Sequence, residues 1–135
     1  AEMCASGGAT NARSLARMYT PLALGGAFAG VRLVDPATVA RMAIVESATA
    51  KEATVGMPFA CGLGFFSYGG ETGLLATAFG HGGWGGSLGF ADPGARVAFG
   101  YVMNQMSATE RAHPLATAVY RALGYRQGKY GMWLR

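Results

Sequence analysis

With 135 residues the chain makes one domain or less. Hydrophobic residues are 51% of it and charged residues 13%, a composition that forms a core and excludes disorder. The formal charge of +4 sets 11 Lys and Arg against 7 Asp and Glu, and the arginines are scattered (Arg13, Arg17, Arg32, Arg41, Arg96, Arg111 and Arg121 among them), with no basic block that would mark a nucleic-acid partner. Cys4 and Cys61 match no zinc spacing and no disulfide framework, so two reduced thiols are expected. No apolar run is long enough to cross a membrane. No charged segment followed by an apolar one opens the chain, so no signal peptide is visible. The expectation is a cytoplasmic location, or a targeting segment that lies outside this sequence.

Residues 1–9 read as an entry segment. Thr10 or Asn11 can cap a helix, because either side chain accepts a free N–H of the first turn. Leu15, Met18, Tyr19 and Leu22 follow at helical spacing and are expected in the core. Pro21 disturbs that helix and Gly25-Gly26 ends it. Residues 31–34 form a short extended link. Asp35-Pro36 starts a second helix, with Asp as cap and Pro at the first helical position. That helix turns Val39, Met42 and Ala43 inward and runs to about Ser47. Residues 46–58 read as a loop, 61–68 as one strand and 69–73 as a turn.

Three strands follow, over about 76–82, 87–91 and 96–103. Asp92-Pro93-Gly94 is turn chemistry: Pro presets one backbone angle and Gly takes the positive one. The second and third strands should therefore pair as an antiparallel hairpin. In the third, Val97, Phe99, Tyr101 and Met103 share one face, and Ala98, Gly100 and Val102 the other. Both faces are apolar, which suits a sheet covered by helices on both sides. A last helix over 110–123 puts Leu115, Ala118, Val119 and Ala122 on one face. The tail from Gly124 to Arg135 carries no assignable pattern.

The candidate site is the run from Phe79 to Phe90, dense in glycine around His81, Trp84 and Ser87. Glycine weakens a strand, so repeated glycine at one place points to a close backbone or ligand. Gly85-Gly86-Ser87-Leu88-Gly89 matches G-x-S-x-G, the turn that presents a nucleophilic serine between a strand and a helix. Here Ser87 leads into a strand and a Pro-Gly turn, and the only later histidine is His113. Ser87 is thus the weaker candidate, with a local turn as the competing reading. His81 and His113 have no Asp, Glu or Cys at ligand spacing, so neither a metal site nor a cofactor is expected. The run also lacks the Lys-Ser/Thr of a phosphate-binding loop.

Taken in order, these pieces carry a resemblance. Ala9 to Tyr19, Gly30 to Pro36, Phe79-Gly80-His81-Gly82-Gly83, Gly86-Ser87-Leu88-Gly89-Phe90-Ala91-Asp92-Pro93 and Tyr101-Val102-Met103-Asn104 resemble the C-terminal part of the serine β-lactamase-like hydrolases. The likeness is greatest to the class C-related esterases and lipases of actinobacteria, and extends from about Ser6 to Arg135. It implies an α+β fold: an antiparallel sheet flanked by helices, here a single partial domain over 1–135. It implies an ester or β-lactam as substrate, cleaved through an acyl-enzyme. His81-Gly82-Gly83 resembles the family's third motif, on the strand that edges the active site. By that likeness His81, Gly82 and Gly83 face the substrate, and the Trp84 N–H helps bind the oxyanion.

The family's other motifs are missing. S-x-x-K occurs nowhere in the 135 residues, and no Tyr is followed two positions later by Asn. In the family both motifs lie upstream of the matched region. The chain is therefore expected to be inactive alone. The competing expectation is a non-catalytic binding or oligomerisation domain that uses the glycine ledge. The family's sheet also takes strands from its N-terminal part. Without them an open edge and bare apolar surface favour self-association.

Overall fold

The structure is a computed structural model that describes residues 7–54, 56–68, 74, 76–109, 111–128 and 133–135. Its first helix, α1, spans Ala12–Ala23. Of the two candidate caps Asn11 is used: its side-chain oxygen accepts the Ser14 N–H at 2.9 Å. The helix ends as the glycines direct. The Gly26 N–H returns to the Pro21 carbonyl at 2.7 Å, with Gly25 and Gly26 at φ of 81° and 96°. Two short strands follow, β1 (Ala27–Phe28) and β2 (Val31–Arg32). They pair across Ala29 and Gly30, both at positive φ. The link expected over 31–34 is thus half of a tight hairpin. Helix α2 (Pro36–Met42) starts at Pro36 as expected and buries Val39, but the Asp35 side chain at its N-cap position makes no capping hydrogen bond.

The main sheet has six antiparallel strands in chain order: β3 (Ser47–Thr49), β4 (Phe59–Cys61), β5 (Phe66–Ser67), β6 (Phe79–Gly82), β7 (Leu88–Asp92) and β8 (Val97–Tyr101). Two sequence expectations are corrected here. The second helix stops at Met42 rather than near Ser47, and Ser47–Thr49 is an edge strand rather than loop. The single strand expected over 61–68 is instead the turn and second arm of a hairpin. Gly62 and Gly64 are the reason. Gly64 takes φ of 79°, and a side chain at Gly62 would run into the Met42 and Ile44 carbonyls. The turn expected over 69–73 lies outside the described residues.

The three later strands fall close to their expected positions. The loop joining β7 to β8 departs in one detail. Arg96, at φ of 56°, takes the positive angle, and Gly94 does not. Gly94 is needed for space, because a Cβ there would meet Thr77 Oγ1 at 2.5 Å.

Helices cover both faces. On one, α1 and α2 pack Leu22, Ala23 and Val39 against Phe79 and Ala91. The fit of α1 rests on two glycines paired across β7 and β8, Gly89 and Gly100. A Cβ on Gly100 would lie 2.6 Å from the Ala12 carbonyl oxygen, and one on Gly89 2.5 Å from the Tyr19 ring. On the other face α3 (Ala112–Ala122) buries Ala112, Ala116 and Tyr120 over Phe90 and Leu88. Trp133 and Tyr125 from the tail pack around Tyr120, and the tail forms a small hairpin of β9 (Arg126–Gln127) and β10 (Trp133–Leu134).

The expected inner face of the last helix is wrong. Leu115 and Val119, with Ala118 and Ala122, lie exposed. The small Ala112 and Ala116 let the helix approach the sheet, and Tyr120 reaches a buried acid. Met18, expected in the core, is also exposed, since α1 presents Leu15, Tyr19 and Leu22 to the sheet.

That acid is Asp92, with no solvent exposure. Its Oδ2 accepts the Tyr120 hydroxyl at 2.6 Å; Oδ1 accepts Thr77 Oγ1 at 2.5 Å and the Ala95 N–H at 3.1 Å. A buried carboxyl is tolerable only with such donors. The Tyr120→Phe variant removes the donor to Oδ2 and is expected to cost about 1–3 kcal/mol. A lower midpoint in urea checks this; an unchanged midpoint would show that Asp92 does not depend on the phenol.

Candidate active site

Strand β6 outlasts its neighbour. Its pairing with β5 stops at Phe66↔Gly80, while its pairing with β7 continues through His81↔Gly89 to Gly82↔Leu88. One edge of β6 is therefore vacant past Gly80 among the described residues. The Gly83 N–H points inward, donating to the Ser87 carbonyl at 2.8 Å. Alternation along a strand then turns the Gly82 N–H and C=O outward, to the vacant edge. No side chain projects from Gly82 or Gly83, and a side chain at Gly83 would overlap Ser87 Oγ.

His81 stands at the head of this ledge. Its ring stacks on Phe66, with centroids 4.4 Å apart, and Nδ1 lies 2.5 Å from the Gly82 carbonyl oxygen. Behind Phe66 comes Phe59, edge-on at 5.9 Å. The Tyr19 phenol of α1 lies by the His81 backbone. Sequence reasoning missed Phe66, because its hairpin was read as one straight strand. It placed Tyr19 in the core without seeing its contact at His81.

Past the ledge the chain turns at Gly85 and Gly86, at φ of 92° and 108°. The Gly86 N–H donates to the Gly83 carbonyl at 3.0 Å. The Ser107 N–H donates to the Gly85 carbonyl, also at 3.0 Å, and ties the turn to the segment after β8. Met106 packs where a Gly85 side chain would stand. Trp84 is held on this turn at 90% exposure, and its backbone N–H donates no hydrogen bond among the described residues.

Ser87 precedes β7, which turns into β8 and not into a helix. The strand-to-helix geometry that presents a nucleophilic serine is therefore missing. Ser87 does share a small pocket of about 80 Å³ with His113 and Ala112, at the start of α3. His113 also meets Tyr68 edge-on at 6.3 Å. His81, Gly82, Gly83 and Trp84 are thus contiguous along one edge, with Ser87 at the other end of the same turn. Among the described residues no three His, Cys, Asp or Glu side chains gather as metal ligands. No helix among them is long and apolar enough to cross a membrane.

The arrangement can hold an acyl group flat against bare backbone and offer an unengaged N–H to a developing oxyanion. Tyr19 ties α1 to it. Burial pushes the Tyr19 phenol above its ordinary 10.0, with the nearby His81 backbone opposing in part. The folded state thus holds Tyr19 neutral more tightly than the unfolded chain does. Its contribution is intact below the unfolded value of 10.0 and is lost as pH rises through the higher folded value. Melting temperatures between about pH 9 and 12 should fall, and Tyr19→Phe should flatten the decline. Parallel curves for both proteins would rule this out.

The family model described as Beta-lactamase matches residues 2–123. The chain is 35% identical over 106 residues to the "Esterase/beta-lactamase LipL" of Mycobacterium tuberculosis, covering 78% of this chain and 24% of that protein. A family VIII carboxylesterase superposes with a TM-score of 0.74 at 39% identity, over 82% of this chain and 31% of the other. A penicillin-binding protein homolog from Caulobacter crescentus gives 0.75 at 32% identity, over the same 82% and 31%. EstA from Arthrobacter nitroguajacolicus gives 0.66 at 27% identity, over 84% and 32%. The chain therefore spans about a quarter of the curated relative and a third of each solved neighbour.

Proposed function

Because the chain belongs to the beta-lactamase family, we propose that it carries the substrate-facing strand of a serine hydrolase that cleaves carboxylic esters or β-lactams. One observation supports this above the others. Among the described residues no strand pairs with the β6 edge at Gly82, no side chain projects from Gly82 or Gly83, and the Trp84 N–H has no partner. An ester carbonyl lying on that edge would find a donor already in place when its oxygen becomes negative. The substrate class follows the names of its relatives, an esterase/beta-lactamase and a family VIII carboxylesterase.

The nucleophile and its base are another matter. Neither S-x-x-K nor Y-x-N occurs in the 135 residues. We infer that the chain binds but does not turn over an ester by itself. A fluorophosphonate probe, followed by mass spectrometry and an ester-hydrolysis assay, tests this. The expected result is no adduct and no turnover. An adduct on Ser87, with turnover lost in Ser87→Ala, would overturn it and make the Ser87–His113 pocket the reactive site.

A second reading is favoured by the other end of the sheet. Strand β8 is the last in order, and Val97–Tyr101 contains neither charge nor proline to blunt its outer edge. In this reading the chain is a binding or oligomerisation domain that pairs through β8. Sedimentation velocity at increasing concentration should then reveal a dimer. A monomer at every concentration removes the reading.

A further inference from the structure

Two features of the ledge are left over once its backbone is assigned to the acyl group. The first is the aromatic strip Phe59–Phe66–His81 that runs up to it, with ring centroids 5.9 and 4.4 Å apart. Phe66 covers one face of the imidazole, and His81 is otherwise exposed. The second is Trp84. An indole is a large apolar side chain, and here it is 90% exposed. Its neighbours on the turn are glycines, so no side chain of the loop supports it. The loop itself is fixed by three hydrogen bonds, Gly83 to Ser87, Gly86 to Gly83 and Ser107 to Gly85, and by Met106 packed on Gly85. A rigid loop that presents a bare aromatic ring at small entropic cost is suited to gripping a ligand.

We propose that the site selects substrates carrying a flat aryl group. That group stacks on the free face of the His81 imidazole and is closed over by the Trp84 indole, while Gly82 and Gly83 leave room between them. The inference rests on the reading of the ledge as the substrate edge, and adds the substrate class. Aromatic pairs prefer stacked or edge-on contacts at the centroid spacings already seen in the strip. A purely aliphatic ester would use the ledge but neither ring.

Stable amides that mimic the esters in shape provide the test, read by amide and indole NMR shifts of the 135-residue chain. N-ethylacetamide carries no ring, acetanilide carries one on the leaving-group side, and N-ethylbenzamide carries one on the acyl side. Shifts at Gly82, Gly83 and the Trp84 indole are expected together, with the Trp133 indole as the unmoved reference. At least one aryl amide should bind about tenfold tighter than N-ethylacetamide, and which one does assigns the ring to the acyl or the leaving group. Trp84→Ala should bring that ratio close to one, and Trp84→Phe should keep part of it. Equal affinity for all three amides, with the glycine shifts intact, overturns the aryl clamp and leaves the ledge standing. No glycine shift with any amide overturns the ledge, and the clamp with it.

Discussion

Helix α1 lies against the backbone of β7 and β8 at Gly89 and Gly100, with no room for a side chain at either position. A methyl group at Gly100 would press on the Ala12 carbonyl and the Ala16 nitrogen, which belong to the helix backbone and cannot swing aside. Because both positions are bare, the helix lies directly on the sheet. That brings Leu15 and Tyr19 down onto the glycines, Leu22 into the core with Phe79, and Tyr19 to the backbone of His81. His81, Gly89 and Gly100 form one row across three strands. The contact that seats the helix therefore lies next to the ledge in the same row.

The opposite face is held by different chemistry. Asp92, at the end of β7, gathers a threonine, a backbone amide and the Tyr120 phenol. This polar knot joins α3 to the β7–β8 loop and to the approach of β6. Tyr120 also stacks on Phe90, one residue after Gly89 and two before Asp92. The strand is thus clamped from above through absent side chains and from below through satisfied ones. Its neighbour β6 is pinned as far as Gly82 and can end there as a defined edge.

Much of this was legible in the sequence. Asn11, Asp35-Pro36 and Gly25-Gly26 mark helix ends through chemistry that acts within one turn, and the helices start and stop there, apart from the early end of α2. The apolar residues on both faces of Val97–Tyr101 marked a strand, which is half-buried along its length. The site run was visible because glycine is costly in strands. What failed depends on distant contacts. Leu115 and Val119 look like the inner face of a helix by hydropathy, yet Ala112 and Ala116 are chosen by how near the sheet must come. Gly94 looks like a positive-φ glycine, yet serves Thr77, seventeen positions upstream. Phe66 could be placed beside His81 only after the turn at Gly64 was known.

The order of the six strands has a consequence for how the chain assembles. Every neighbour in the sheet is also the next strand in sequence. Each pairing closes a loop between consecutive strands, so the meander can grow by adding one hairpin at a time. The helix α1 is the exception. It lies near the start of the described chain and packs on β7 and β8, more than sixty residues away. Its docking is the long-range step, and it needs the Gly89–Gly100 pair to exist first. The glycines that shape the finished site are in this sense also the landing surface that lets folding reach its end.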